Sequence, residues 1–344
     1  MNRRLLRSVS QFQVKLVCCG GLVASLALVI ETGGCASHRP APLVVALPSV
    51  RAPAINEERR LSLKLVTYNI WGLPSWMTGA RSGRYPQIAR ELERLDPDII
   101  LLQEAWTAEA RKSAPANGHW AIARAAGQHT FFQQSGLMTL SRFPIIGGEF
   151  YPFSRGAFPD RLMNKGVLKV TVRLSGGRVL NIWNVHLQDG GPPEIHRAQT
   201  RELVSRVQAA EDGQVADLVG GDFNCTPDSP ACGELVSSLG PSVQQLGGAE
   251  PFVTWDGLSR EPGAGQTLDY IFVRARRPLL ELRATPCVAF AATSQEHRLS
   301  DHFGIQARVD LSPVASLSEA VGPIHDSHSG WSIAAGRSAL TARQ

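Results

Sequence analysis

The chain is short of cysteine, with six in 344 residues, three of them within the first 35. No two have the Cys-x-x-Cys spacing of a structural zinc site, which excludes a thiolate metal centre as an organising element. Charge of one sign is also scarce beyond the N-terminus. Of the net +5, residues 1–35 hold Arg3, Arg4, Arg7 and Lys15 against Glu31, a net +3, so about +2 remains on the rest. The basic pI therefore belongs largely to the N-terminus and says little about partners. No internal repeat is evident, which excludes a solenoid or propeller. What is present is 43% hydrophobic residues over a long chain, enough for one sizeable domain with extensions.

The N-terminus has the layout of an export signal. Arg3, Arg4, Arg7 and Lys15 precede an apolar run from Leu16 to Ile30, too short for a confident membrane span. The run ends in Thr32-Gly33-Gly34-Cys35, which resembles a bacterial lipoprotein cleavage site with Cys35 as the lipidated residue. Thr32 stands where a Leu is preferred, and plain secretion is the alternative. Either route predicts an envelope or secreted protein, lipid-anchored to a membrane in the first case. Residues 36–58, with Pro40, Pro42, Pro48 and Pro53, read as an extended tether. The main domain is expected over 59–311. The tail, 312–344, is rich in Ser, Ala and Gly and carries no assigned role. In an oxidising compartment Cys225 and Cys232 could close a short disulfide loop.

Several apolar runs end in a polar residue. Leu63, Leu65 and Thr67 alternate with Lys64, Val66 and Tyr68 in a strand that ends at Asn69. Ile88, Leu92 and Leu95 mark an amphipathic helix stopped by Asp96-Pro97. Ile99 to Leu102 is a continuous apolar strand that delivers Glu104. Residues 136–140, 167–174 and 178–187 read as strands, the last carrying His186, and a helix is expected from Pro193 to about Gln208. Val215 to Val219 exits into Gly221-Asp222-Phe223-Asn224. Another strand carries Asp269 near its start, and Asp301-His302 precede the alternating Ile305, Ala307 and Val309.

Two layered sheets with helices outside would bring those strand ends to one edge. The set has the groups that metal-assisted phosphodiester hydrolysis needs. Glu104, helped by Asn69, would hold Mg²⁺, with Mn²⁺ as the alternative, in oxygen ligation. His302 oriented by Asp269 would take a proton from water. His186 and Asn224 would donate to phosphoryl oxygens, and Asp222 would position the water or the base.

In the same order, Asn69, Gln103-Glu104, Asn184-x-His186-Leu187, Gly221-Asp222-Phe223-Asn224, Leu268-Asp269-Tyr270-Ile271 and Ser300-Asp301-His302 resemble the motifs of the endonuclease/exonuclease/phosphatase superfamily, which includes the DNase I-like nucleases. The resemblance runs from about Leu61 to Asp310. It implies an α/β fold, a four-layered αββα sandwich, and Mg²⁺-dependent phosphoester cleavage. It also implies Glu104 as metal ligand with Asn69 on metal or phosphate, and His302 as general base oriented by Asp269 with Asp301 beside it. Asp222 and Asn224 would align the nucleophile, with His186 as the phosphate-side donor.

Asn69-Ile70-Trp71-Gly72-Leu73-Pro74 is similar to the neutral sphingomyelinase branch, and Asp160 before Lys165-Gly166 resembles that branch's gating loop. Trp71, with Trp76 and Met77, would then form an apolar lip facing a phospholipid or a choline cation, while core packing is the other reading of each Trp. Gln188-Asp189-Gly190-Gly191 replaces the His-Ala that follows the histidine in animal members, which leaves the headgroup open. The alternatives are a DNase I-like endonuclease, with nucleic acid as partner, a phosphomonoesterase of the same fold, and a non-catalytic envelope protein. The last has no need of all six polar groups together.

Overall fold

The structure is a computed structural model that describes residues 43–46, 61–78, 83–125, 134–174, 177–210, 215–248, 252–258, 265–276, 280–290 and 298–313. The expected export signal, Cys35, most of the segment read as a tether and the tail beyond Pro313 lie outside the described residues.

The strands, in chain order, are β1 (Leu43–Ala46), β2 (Leu61–Asn69), β3 (Ile99–Gln103), β4 (Ala121–Ala125), β5 (Met138–Ser141), β6 (Ile145–Pro152), β7 (Gly166–Arg173), β8 (Val179–His186), β9 (Ala216–Asp222), β10 (Asp269–Ala275), β11 (Leu280–Ala289) and β12 (Gly304–Pro313). They form a seven-stranded sheet, β1-β4-β5-β3-β2-β12-β11, and a five-stranded sheet, β10-β9-β8-β7-β6. Three helices matter to the packing: α1 (Arg84–Leu95), α2 (Pro193–Ala209) and α3 (Pro230–Leu239). β1 lies inside the segment read as a tether; its backbone pairs with β4 and forms the edge of the larger sheet.

The four layers follow from side-chain alternation along each strand. In β2, Leu63 and Leu65 face the other sheet, while Val66 and Tyr68 turn outward to Tyr85, Ile88 and Leu92 of α1. In β8, Leu180 and Ile182 face inward, while Trp183 and Val185 pack with Leu203 and Val207 of α2 and Leu235 of α3. Both faces of each sheet are covered, and so the central strands read as continuous apolar runs. The result is the αββα sandwich that the motifs implied.

The same alternation positions the polar residues. Asn69 continues the inward row of Leu63, Leu65 and Thr67. His186 continues that of Leu180, Ile182 and Asn184, Asp222 that of Ala216 and Leu218, and Asp269 that of Ile271 and Val273. Register brings them level: Asn69 pairs with Gln103, His186 with Asp222, and Asp222 with Asp269. One end of the sandwich therefore has a polar lining where the apolar core stops.

Just beneath that lining the two sheets are joined by a buried polar bridge. Gln103 donates to Asn184 Oδ1 at 2.8 Å and to Thr67 Oγ1 at 3.1 Å, and the Asn184 amide donates to the carbonyls of Leu102 and Met138, each at 3.1 Å. Every one of these groups is satisfied across the sheet-to-sheet gap, which fixes how the sheets are offset.

Candidate active site

Asn69 sits between two carboxylates. Its Nδ2 donates to Asp222 Oδ2 at 2.9 Å and to Glu104 Oε1 at 3.2 Å, while its Oδ1 accepts the Trp71 backbone N–H at 3.0 Å. The last bond fixes which way the amide points. Asn69 thus turns its nitrogen to the two carboxylates and holds them in place.

Glu104 leaves β3 with φ 59, a left-handed conformation unusual for Glu. Gly72 packs so closely that a Cβ there would lie 1.8 Å from the Glu104 carbonyl oxygen. Burial, then the nearby Asp301 carboxylate, push the Glu104 pKa up to about 7. Its Oε2 is buried without a hydrogen-bond partner. A buried, unsatisfied carboxylate oxygen is costly unless a cation meets it, and hard divalent ions select such oxygens. The residues present therefore fit a Mg²⁺-type ion at Glu104.

His302 Nδ1 lies 2.9 Å from Asp269 Oδ2, and its Nε2 lies 3.7 Å from Asp222 Oδ2. Burial works against the charged ring, but Asp269 and Asp222 outweigh it and raise the His302 pKa to about 10. Asp222 is raised to about 6 by burial and by Asp269. His186 differs. Burial, with Lys165 and His302 nearby, holds it well below its ordinary value, so it is a neutral imidazole. Its Nε2 lies 3.6 Å from Asp222 Oδ2 and its Nδ1 has no hydrogen-bond partner. Asp222, Asp269 and His302 offer ligand atoms within 4.8 Å of one another.

Asn224 (φ 48) turns the chain back on the site. Its backbone N–H donates to Asp222 Oδ1 at 3.0 Å, and its Nδ2 donates to the Leu187 carbonyl at 3.1 Å. One hydrogen of its Nδ2 is thereby engaged with the backbone beyond His186. Lys165 donates to the same carbonyl at 3.0 Å and pairs with Asp160 at 2.5 Å, while Asp160 Oδ2 accepts the Asp189 N–H at 2.7 Å. Burial opposes the Lys165 charge, but Asp160 and Asp189 outweigh it and raise its pKa. The loop is thereby clasped onto the strand end that carries His186.

The sequence matches the Endonuclease/Exonuclease/phosphatase family over residues 66–302. The chain belongs to that family. A candidate neutral sphingomyelinase of Drosophila melanogaster is 25% identical over 281 residues, covering 75% of this chain and 63% of the relative. The chain spans less than two thirds of that protein's length. A beta toxin mutant of Staphylococcus aureus solved with bound magnesium ions has a TM-score of 0.53 at 19% identity, covering 72% of this chain and 99% of its own. A humanized Danio rerio TDP2 has a TM-score of 0.59 at 19% identity, covering 72% and 98%. The two structures share this family's fold.

Within this family member, Asn69, Glu104, His186, Asp222, Asp269 and His302 converge, with Asp301 bearing on Glu104. Trp71 does not join them as a lip. It is buried, and the Arg84 guanidinium lies 5.5 Å from its ring centroid and donates to its carbonyl. Among the described residues the exposed tryptophan is Trp76, at 67%. Cys225 and Cys232 are buried free thiols, hydrogen-bonded to each other.

Two positioning residues escaped the sequence reading. The buried Thr254 accepts the backbone N–H groups of Leu268 and Asp269 on its Oγ1, at 2.9 and 3.0 Å, and its carbonyl accepts the Phe303 N–H at 2.6 Å. Ser300 Oγ donates to the Asn69 carbonyl at 2.7 Å. A threonine in a loop has no pattern to mark it. Ser300 lies in the Ser300-Asp301-His302 motif, where a serine beside two ionisable groups carries no signal of its own.

Proposed function

We propose that the chain is a Mg²⁺-dependent phosphodiesterase that cleaves the headgroup bond of a sphingomyelin-type phospholipid, held at a bacterial envelope membrane by a lipid on Cys35. The observation that carries the reaction class is the buried, unpartnered Glu104 Oε2 beside a His302–Asp269 pair. The substrate class is supported by the fly relative named for neutral sphingomyelinase activity and by the sequence after Asn69.

In this reading Glu104 holds the ion. Bound there, Mg²⁺ supplies a Lewis acid for a phosphoryl oxygen and a positive charge that lowers the His302 pKa from its metal-free position. His302, fixed through Nδ1 by Asp269, takes the proton of the attacking water at Nε2. Asp222 lies within 4 Å of both imidazoles and aligns that water. The neutral His186 donates an N–H to the phosphoryl group, and Lys165 adds positive charge behind it.

The test offers sphingomyelin vesicles and plasmid DNA in parallel to the full chain, with Mg²⁺ or EDTA and with His302→Ala as control. Phosphocholine release that requires both the ion and His302 is the expected result. DNA nicking without lipid cleavage would move the chain to a nuclease reading.

A further inference from the structure

The N-terminal strand leaves the sandwich at the catalytic end. In β1, Leu43 pairs with Ala125 of β4. Ala123 of β4 pairs with Thr139 of β5, and Thr139 with Leu101 of β3. Two residues further along, Ala125 is level with Gln103, so Leu43 is level with the residue before Glu104. β1 runs antiparallel to β4, and its first residue therefore points out of the same edge as Asn69 and Glu104. Three strand spacings separate β1 from β3, about 14 Å.

Cys35 is eight residues before Leu43. Fully extended, that stretch reaches no more than about 28 Å. A nine-residue strand such as β2 is itself about 30 Å long. A lipid on Cys35 thus meets the catalytic end directly, whereas the opposite end would require most of the extended tether to run back along the sheet edge.

The exposed apolar side chains agree. Among the described residues the two most exposed large ones are Trp76, at 67%, and Phe158, at 55%. Trp76 follows the catalytic end of β2. Phe158 lies between β6 and β7, whose facing ends are paired Pro152 to Gly166, beside the strand end that carries His186. Arg155 and Arg161, both exposed, flank Phe158. Exposed aromatics with adjacent arginines suit the interfacial zone of a bilayer, where a ring enters the headgroup layer and the guanidinium meets lipid phosphate.

We propose that the sandwich docks with its catalytic end against the bilayer that holds its own N-terminal lipid, with Trp76 and Phe158 entering the headgroup layer, so that it acts on lipids of that same membrane. The proposal rests on lipid attachment at Cys35 and on the phospholipid reading above. Three devices point to one face: the strand register, the short tether and the two aromatics.

The test uses the full lipidated chain reconstituted into phosphatidylcholine vesicles with brominated acyl chains. Tryptophan fluorescence should be quenched in the wild type and clearly less so in Trp76→Phe, which retains an aromatic ring. Equal quenching in both would overturn the docking face. In a second arm, sphingomyelin is placed either in the enzyme's own vesicles or in separate ones. Hydrolysis should be at least tenfold faster in its own vesicles, and equal rates would overturn action on the home membrane while leaving the phosphodiesterase reading intact. If neither population is hydrolysed, the substrate reading has failed, and the quenching arm still decides the orientation.

Discussion

Asn69 and Asp222 stand on different sheets, 153 residues apart, and meet through a 2.9 Å hydrogen bond at the catalytic end of the sandwich. The same amide nitrogen reaches Glu104. Removing it leaves two carboxylates facing each other without a shared donor. Asn69→Ala should lower kcat about 100-fold or more and change the Mg²⁺ concentration for half-maximal activity comparatively little, because the Asn69 oxygen is turned to Trp71. Glu104→Gln should do the reverse and shift the Mg²⁺ requirement strongly upward. A metal titration of both variants checks the assignment.

Glu104 also predicts a pH effect on the metal-free protein. Its folded pKa, about 7, lies above the ordinary 4.5, so the unfolded chain gives up this proton first. Its contribution to stability is then greatest at low pH and is lost as the pH rises toward 7. Glu104→Gln removes that loss. In EDTA, the Tm advantage of the variant over wild type should grow between pH 5 and pH 7 and level off above pH 8. A flat difference across that range would mean the carboxylate is not held unsatisfied.

His302 and Asp269 act as one unit. His302→Ala and Asp269→Asn should each reduce kcat by about 10²- to 10⁴-fold, and the double variant should lose little more than either single one. Steady-state rates on a common phosphodiester substrate measure this. Additive losses would indicate that the two residues serve separate steps.

Thr254 tests positioning at one remove. Thr254→Val keeps the shape but strips the acceptor from two buried N–H groups, at a cost of about 1–3 kcal/mol for each group left unsatisfied. Thr254→Ser keeps the acceptor. Serine should restore both Tm and kcat toward wild type, and valine should lower kcat beyond what its Tm explains, because Asp269 loses its backbone anchor.

Gly221 has φ 149, and a Cβ there would sit 2.0 Å from the Val185 carbonyl oxygen. Gly221→Ala should destabilise the domain by more than about 2 kcal/mol and displace Asp222, its neighbour. Denaturant unfolding gives the first quantity and kcat the second.

Much of the site is legible in the sequence alone. Apolar runs such as Ile99 to Leu102 announce buried strands, and a polar residue at the end of a buried row has few roles other than chemistry. Asp269 and His302 were paired on that ground. Trp71 was not readable in the same way. Its neighbour Arg84 comes 13 positions later, and nothing local tells a ring over a guanidinium from a ring facing lipid. The Asn69 amide was likewise ambiguous, because the Trp71 N–H that orients it exists only once the chain leaves β2 at φ 50. β1 hid in a proline-bearing stretch because four residues are too few to show a period, and only pairing with β4 makes them a strand.

The sequence by itself determined the alternation of apolar and polar residues, hence two covered sheets and a polar lining at one end, because a strand's side chains obey a period of two wherever the strand lies. Only the tertiary structure decided which polar atoms face each other. Glu104, Asp222 and His302 lie at the ends of separate strands, and their distances depend on the offset of two sheets fixed by Gln103 and Asn184. That offset is a long-range packing result which no local pattern encodes. The same holds for β1: strand order and register, not its own residues, put its first residue at the catalytic end.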